Sequence, residues 1–149
     1  MLMDSKMDHG PILDQVTYDF KVWPESKKIT HDTLAQLGGE LLQSTINKYL
    51  DKDIIPREQD HAHATYTKMI KKTDGLIVLS DTNHSTYLKY LAFTPWPGLF
   101  FFIEKQNKQI RVKVESAHFD TQQGFVLDTV VPEGKKSMSF ESFKNGYLV

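Results

Sequence analysis

The sequence predicts an α+β protein whose C-terminal part is a small antiparallel β-structure. Three features predict this fold class: an apolar stripe at helical spacing in the first third, a polar and proline-broken stretch in the middle, and three β-rich segments in the last third. The 149 residues, 40% hydrophobic and 25% charged, are enough for one domain or two small ones. We therefore expect two parts joined by a linker.

The first part combines a strand-like segment with a long helix. Residues 12–20 (ILDQVTYDF) follow a Gly10-Pro11 turn and are rich in β-formers, so they predict a strand. Thr30 and Asp32 are the N-cap candidates of the helix. Its apolar stripe comprises Leu34, Leu37, Leu41, Leu42, Ile46, Tyr49 and Leu50. The Gly38-Gly39 pair costs the helix roughly 1 kcal/mol per Gly relative to Ala, and close packing against a neighbour would account for it.

The middle of the chain predicts the domain boundary. Residues 51–75 are polar and broken by a proline, with one short helical or extended piece around residues 66–70. A second helix should follow and include Tyr87–Ala92, with Ser80, Asp81 and Asn83 as cap candidates. Pro95 should end it, because proline removes the backbone donor and pushes the preceding residue out of the α region.

The last part predicts three strands, at residues 99–105, 109–119 and 124–131, joined by polar turns. In the middle segment Ile110, Val112 and Val114 alternate with polar residues, as in a strand with one solvated face. A small antiparallel sheet or partial barrel is the expected product. Core packing is the favoured role of the aromatic residues Trp96, Phe100, Phe101, Phe102 and Phe119.

Composition excludes several kinds of chemistry. The chain has no cysteine, which removes disulfides, thiolate nucleophiles and Cys-ligated zinc, and 18 Lys and Arg balance 19 Asp and Glu. The longest apolar run, residues 99–103, is too short to span a bilayer, and the first ten residues do not form a signal peptide. The expectation is a cytoplasmic protein with no membrane partner.

Two polar segments, one at Asp8 and one at residues 60–63, are candidates for a functional site. Asp8 lies in a loop ended by Gly10-Pro11, a rim position where α/β enzymes place polar groups, although a turn-forming Asp is the simpler interpretation and the residue types favour it. His61 and His63 beside Asp60 raise the question of a metal site. Because no third ligand is predicted in this polar stretch, we expect no metal.

The order of motifs resembles the methionyl-tRNA formyltransferase family along nearly the whole chain. The motifs are MDHGPIL at residues 7–13, LGGELL at 37–42, ATYTKMI at 64–70, PWPG at 95–98 and EGKKSM at 133–138. The D-x-G-P loop is similar to that of all folate-dependent formyltransferases, whereas the last three motifs together resemble the tRNA-formylating branch.

The resemblance implies the tail end of a Rossmann-like formyltransferase domain joined to a small antiparallel β-barrel similar to an oligonucleotide-binding (OB) fold. We expect residues 1–54 to belong to the catalytic domain, 55–79 to be the linker and 80–149 to be the OB-like, tRNA-binding domain. The segment between Phe125 and the EGKKSM motif is shorter than in longer members, which suggests a barrel with fewer strands.

The implied activity is formyl transfer from 10-formyltetrahydrofolate to the amine of initiator methionyl-tRNA, with Asp8 as the catalytic Asp of the D-x-G loop. In the family this Asp works with an Asn and a His from an earlier segment, and no Asn-x-His precedes Asp8 here. The folate-binding half is not in this sequence either. We therefore expect the chain alone to be inactive and a separate N-terminal half to be a partner.

RNA contact would fall to a set of basic residues in the last part. Eight Lys and Arg stand against seven Asp and Glu from residue 80 onward, so the charge signal is weak and a solvated sheet face remains the alternative. The candidates are Lys105, Lys108, Arg111, Lys113, Lys135 and Lys136.

Departures from the family pattern leave other functions open. Leu91 stands where the family usually has an Arg, and residues 76–81 lack its acidic-Trp pair. A non-catalytic RNA- or tRNA-binding module is one alternative. A sugar-nucleotide N-formyltransferase relative is another, although the EGKKSM motif argues against it.

Overall fold

The computed structural model describes residues 1–148 and confirms the α+β class. Two compact units are present: residues 1–23 with 28–68, and residues 24–27 with the chain from Met69 onward. The three α-helices are α1 (Lys27–Leu50), α2 (His84–Phe93) and α3 (Phe140–Tyr147). The four strands are β1 (Phe100–Lys105), β2 (Lys108–Asp120), β3 (Gly124–Pro132) and β4 (Met138–Ser139).

The strand predicted at residues 12–20 is wrong. This segment is extended but has a single antiparallel bridge, in which Ile12 and Arg57 exchange backbone hydrogen bonds of 2.8 and 2.9 Å. A strand needs a neighbouring backbone along its whole length. Within residues 1–148, that pairing is confined to Ile12, and Val16 and Tyr18 are exposed.

The long helix forms, but its start and its surroundings differ from the prediction. It begins at Lys27, so Thr30 and Asp32 are not its caps; Asp32 accepts a 2.5 Å hydrogen bond from Lys28 Nζ one turn earlier. The apolar stripe has the predicted helical spacing, yet most of it faces solvent, including Leu42 with 59% of its surface exposed. The close packing expected at the two glycines is absent, since a Cβ on Gly38 or Gly39 would meet nothing within 4 Å among the described atoms.

The segment after α1 contains two short 3₁₀ turns, at His61–His63 and Lys72–Gly75. Gly75 is required there, because a Cβ at this position would lie 2.1 Å from the carbonyl oxygen of Gly98. Helix α2 follows as predicted. Asn83 is its N-cap and accepts a 2.9 Å hydrogen bond from the backbone N–H of Thr86, and the helix ends at Phe93 before Pro95.

The sheet of the second unit is an open antiparallel meander in the order β1-β2-β3-β4. The predicted alternation in β2 is confirmed: Val112 and Val114 are buried, whereas Arg111 and Lys113 are exposed. Register shifts near Ser116 bend the long β2–β3 pair. The predicted antiparallel sheet is therefore present, in a form whose β1 and β4 are the edge strands.

The hydrophobic core of the second unit lies on one face of this sheet. Leu99, Phe101, Val112, Val130 and Phe143 are almost completely buried. Phe143 anchors α3, since its ring stacks on Phe140 and Tyr147 and meets Phe101 edge-on at 5.9 Å. Helix α2 adds Tyr87 and Tyr90, whose rings contact Phe125. Both helices thus cover the apolar face of the sheet.

The prediction for the aromatic residues is correct only in part. Phe100 and Phe101 are buried, and Phe119 packs on Tyr87 with ring centroids 5.4 Å apart. The core role of Trp96 is wrong, because it lies among prolines on the surface with 49% exposed. Phe102 is 42% exposed on the opposite face of β1 from Phe101. A strand places adjacent side chains on opposite faces, so a run of three aromatic residues cannot all enter one core.

We predict that Phe143→Ala destabilises the second unit by about 3–5 kcal/mol, because it removes a fully buried ring and leaves a cavity between α3 and β1. Denaturant unfolding followed by tyrosine and tryptophan fluorescence measures the change. The control is Asn145→Ala on the exposed side of the same helix, with an expected effect within about 0.5 kcal/mol. Equal effects of the two substitutions would refute the assignment of Phe143 to the core.

Candidate functional site

The loop that carries Asp8 is held by backbone contacts within the first unit. The Leu2 N–H donates to the Pro11 carbonyl at 2.9 Å, and a Cβ on Gly10 would lie 2.0 Å from the Leu2 oxygen. Only glycine therefore fits at position 10. Asp8 has a left-handed backbone with φ of 54°, a conformation that Asp tolerates better than most residues. The D-x-G spacing thus matches a tight turn in which position 10 has no room for a side chain and Asp8 has a left-handed backbone.

A second segment of the first unit, residues 57–63, closes on this loop. The side-chain amide of Gln59 donates to the carbonyl oxygens of Asp8, at 3.0 Å, and Gly10, at 2.7 Å. The bridge between Ile12 and Arg57 lies beside it. Because Gln59 is about fifty residues away in sequence, these bonds fix the loop by tertiary contact. They engage the backbone of Asp8 and leave its side chain exposed.

Two histidine rings lie face to face beside Asp8. The rings of His9 and His61 are 3.7 Å apart and 3° from parallel. His9 Nδ1 lies 2.6 Å from Asp4 Oδ2, and His63 Nδ1 lies 2.8 Å from Asp60 Oδ2. In each pair the carboxylate orients one ring nitrogen and leaves the other available, an arrangement that can accept or hold a proton.

These residues border a cavity of about 900 Å³ in the first unit. Asp8, His9, Gln59, His61 and Tyr66 are on its walls, and this volume is within the range of small-molecule sites. Among residues 1–148 no group donates a hydrogen bond to the Asp8 carboxylate, so its oxygens are available to a ligand. The sequence-predicted acid therefore lies at a cleft.

The backbone and His9 together set the charge state of Asp4. The Lys6 N–H, 2.8 Å from Asp4 Oδ1, and then the His9 ring lower the pKa of the Asp4 carboxyl below its ordinary value of 3.8. His61 and His63 do not form a metal site with Asp60: within the described chain, residues 1–148, no group of three His, Asp or Glu side chains could hold an ion.

Sequence reasoning proposed Asp8 as a site residue and did not single out His9 or Gln59, which border the same cavity. His9 was hidden as the variable residue of the D-x-G loop, and its link to Asp4 and His61 arises only when the chain folds. Gln59 lies outside all of the sequence motifs. An Asn or Gln side chain opposite a strained loop is found only from coordinates, since its two carbonyl partners are distant in sequence.

The predicted basic residues are divided between different sides of the sheet in the second unit. Arg111 and Lys113 project from the exposed face of β2, where the Arg111 guanidinium lies 4.0 Å from the centre of the Phe100 ring. Phe102, opposite Arg111, shares this face. We call Phe100, Phe102, Arg111 and Lys113 the outer patch.

The other four basic residues lie outside the outer patch. Lys105 is on the core side of β1, where its ammonium donates to the Gly146 carbonyl and lies 4.6 Å from the centre of the Tyr147 ring. Its strand partner Lys108 is exposed. Lys135 and Lys136 are exposed in the turn between β3 and β4. The acidic residues Glu104 and Glu115 also lie on the face of the outer patch, which is therefore of mixed charge.

Comparison with known proteins agrees with the motifs. The family model "Formyl transferase, C-terminal domain" matches residues 69–126. The chain is 34% identical over 163 residues to the methionyl-tRNA formyltransferase of Campylobacter jejuni subsp. jejuni, a match that covers 98% of this chain and 52% of that protein. The methionyl-tRNA formyltransferase of Chloroflexus aurantiacus is 38% identical over 128 residues, with coverage of 85% and 41%.

The class defined by these matches is the formyltransferases. More particularly, the chain matches the C-terminal part of methionyl-tRNA formyltransferases, and it spans about half the length of the curated relatives it matches. The predicted resemblance is confirmed. None of the helices within residues 1–148 is both long and apolar enough to cross a membrane.

We predict that the Asp4 carboxyl titrates below pH 3.8 in NMR. A depressed pKa in the folded state stabilises the loop above the ordinary pKa, and this contribution is lost as the pH falls through the depressed value. His9→Ala should move the midpoint part of the way back, because the Lys6 N–H remains. His118→Ala in the second unit is the control and should leave the midpoint unchanged. A midpoint at or above 3.8 in the unaltered chain contradicts the geometry.

Proposed function

We propose that this chain is the C-terminal part of an enzyme that transfers a formyl group from 10-formyltetrahydrofolate to the amine of initiator methionyl-tRNA in translation initiation. The observation that carries the proposal is the place of Asp8: the acid of the D-x-G-P loop borders a cavity with its carboxylate accessible. The matched relatives are methionyl-tRNA formyltransferases, which supports the substrate class. Asp8 is the proposed catalytic residue.

The chemistry defines what Asp8 contributes. An amine that attacks a formyl carbon must lose a proton, and the tetrahedral oxyanion must be stabilised. Asp8 can orient or accept the proton. It cannot stabilise the oxyanion, because a carboxylate repels a developing negative charge. Other groups must donate to the oxyanion, and we infer that they lie in the half of the relatives that this chain does not match.

It follows that the isolated chain should not transfer formyl groups by itself. Loss of one oxyanion donor typically lowers the rate by about 10²–10³, and here several groups would be missing together. The missing groups would lie in the half of the relatives that this chain does not match. Residues 1–54 would then complete a Rossmann-like catalytic domain and residues 80–149 a reduced OB-like domain, with residues 55–79 as the linker. The change of unit between residues 68 and 69 supports this division.

The outer patch supports an RNA contact in the second unit. It combines the cationic side chains of Arg111 and Lys113 with the half-exposed ring of Phe102. Cationic side chains bind phosphates, and aromatic rings stack on unpaired bases. Lys108, Lys135 and Lys136 are exposed and free to add phosphate contacts, whereas Lys105 would first have to leave Gly146 and Tyr147. Among the six candidates, Arg111 and Lys113 are therefore the principal proposed contacts.

We predict that mixing the chain with the N-terminal part of the Campylobacter jejuni enzyme restores formylation of methionyl-tRNA, and that Asp8→Asn lowers the restored rate by about 10²-fold or more. The readout is incorporation of a radiolabelled formyl group from 10-formyltetrahydrofolate into methionyl-tRNA. Asp19→Asn, an exposed acid of the same unit, is the matched control and should retain the rate. Restored activity that survives Asp8→Asn would refute the assigned role, and tRNA binding without any activity would favour a non-catalytic RNA-binding module.

We predict that the chain binds tRNA more weakly as salt increases, because each phosphate contact releases counterions. The double substitution Arg111→Ala with Lys113→Ala should reduce the slope of log affinity against log salt by about 1–2. Filter binding at several salt concentrations measures it, with Lys21→Ala plus Lys27→Ala in exposed positions as the charge-matched control. An affinity that ignores salt would exclude the phosphate contacts.

A further inference from the structure

Residues 57–61 contact the loop of Asp8 at three places, each two residues after the last. The Arg57 backbone pairs with the residue that follows the Gly-Pro turn, and the His61 ring stacks on a histidine of the loop. Between them, the Gln59 side chain binds the backbone of the loop itself. Gln59 is therefore at the centre of the contact between the two segments.

Gln59 holds the carbonyl groups on both sides of His9. Its side-chain nitrogen lies 3.0 Å from the Asp8 oxygen and 2.7 Å from the Gly10 oxygen. The NH₂ group of an amide has two N–H donors, so one side chain can serve both acceptors. These two hydrogen bonds use the whole donor capacity of Gln59, which is half-buried at this contact.

The backbone of Asp8 requires a restraint of this kind. Its φ of 54° lies in the left-handed region, which is unfavourable for a residue with a Cβ and persists where surrounding contacts hold it. The hydrogen bond from Gln59 to the Asp8 carbonyl oxygen holds the peptide plane that follows Asp8. Because the backbone around a Cα determines the direction of its Cα–Cβ bond, this hydrogen bond also affects where the carboxylate points.

We propose that Gln59 is a positioning residue, which directs the Asp8 carboxylate into the cavity by binding the backbone carbonyls of Asp8 and Gly10. The proposal rests on the proposed function, because it assigns to Gln59 a part in the reaction of Asp8. Gln59 also borders the cavity, but both of its donors are bonded to the loop, so it acts through Asp8. A displacement of about 1 Å in a reacting group can lower a rate by about 10²-fold.

Gln59→Glu is the most direct substitution, because it keeps the shape of the side chain and removes both donors. An ionised carboxylate only accepts hydrogen bonds and would face two carbonyl oxygens. Gln59→Ala removes the donors without adding a charge. Gln43→Glu, at an exposed position of α1, makes the same chemical change elsewhere in the first unit and is the matched control. All three variants should keep the far-UV circular dichroism of the unaltered chain.

Amide hydrogen exchange in the full chain tests whether Gln59 holds the loop. The Ile12 N–H is the probe, because its 2.9 Å reciprocal partner and its own 2.8 Å hydrogen bond to Arg57 join the two segments beside Gln59. Gln59→Glu and Gln59→Ala should each speed its exchange by about tenfold or more, and Gln43→Glu should leave it within about twofold. An unchanged exchange rate in both Gln59 variants overturns the proposal.

The formylation assay with the N-terminal part of the Campylobacter jejuni enzyme tests whether the contact matters for the reaction. Gln59→Glu should lower kcat by about tenfold or more and change KM for 10-formyltetrahydrofolate by less than about twofold. In an Asp8→Asn background it should cause no further loss, because a residue that acts through Asp8 then has no carboxylate to direct. An unchanged kcat, or losses that multiply in the double variant, overturns the proposal.

The two measurements separate this inference from the proposed function. Formylation that depends on Asp8 and not on Gln59 supports the function and refutes the positioning role. If the unaltered chain gives no formylation, the function is refuted, and with it the reaction in which Gln59 would act, even where hydrogen exchange shows that Gln59 holds the loop.

Discussion

The two units of this chain differ in how much of their apolar surface is buried. In the second unit the apolar face of a four-stranded sheet lies under α2 and α3, and Phe101, Val112 and Phe143 are almost completely buried. In the first unit an equally regular apolar stripe on α1 remains exposed. Burial of such side chains is the main favourable term in folding. The second unit therefore contains its own hydrophobic core.

The candidate site lies in the first unit, where polar contacts hold it in place of a hydrophobic core. Gln59 binds the carbonyls of Asp8 and Gly10, and the Ile12–Arg57 bridge aligns the two segments. Hydrogen bonds of this kind stabilise by about 1 kcal/mol each, so a loop held by a few of them is positioned but not rigid.

The same reasoning explains the division of the basic residues. Strand geometry sends neighbouring side chains to opposite faces, so Arg111 and Lys113 share one face while Lys105 is on the other. The Arg111 guanidinium lies over the buried Phe100 ring, which attracts the cation. A count of Lys and Arg along the chain cannot show this, because the count ignores the register between β1 and β2.

The sequence by itself determined the resemblance to the formyltransferases, the α+β class, the three long strands and the alternation of β2, because motif order, local propensity and side-chain period are properties of the chain alone. It gave three cap candidates for α2, and the structure selected Asn83 among them. It also proposed Asp8 as a site residue through the D-x-G-P loop, and the structure places Asp8 at a cavity. The tertiary structure decided the rest. Residues 12–20 failed to form a strand because, among the described residues, only Ile12 of this segment pairs with a neighbouring backbone, and Trp96 is on the surface although core packing was expected. Contacts between distant segments also decided the roles of Gln59 and His61, since hydrogen bonds and ring stacking across fifty residues leave no periodic signal in a sequence.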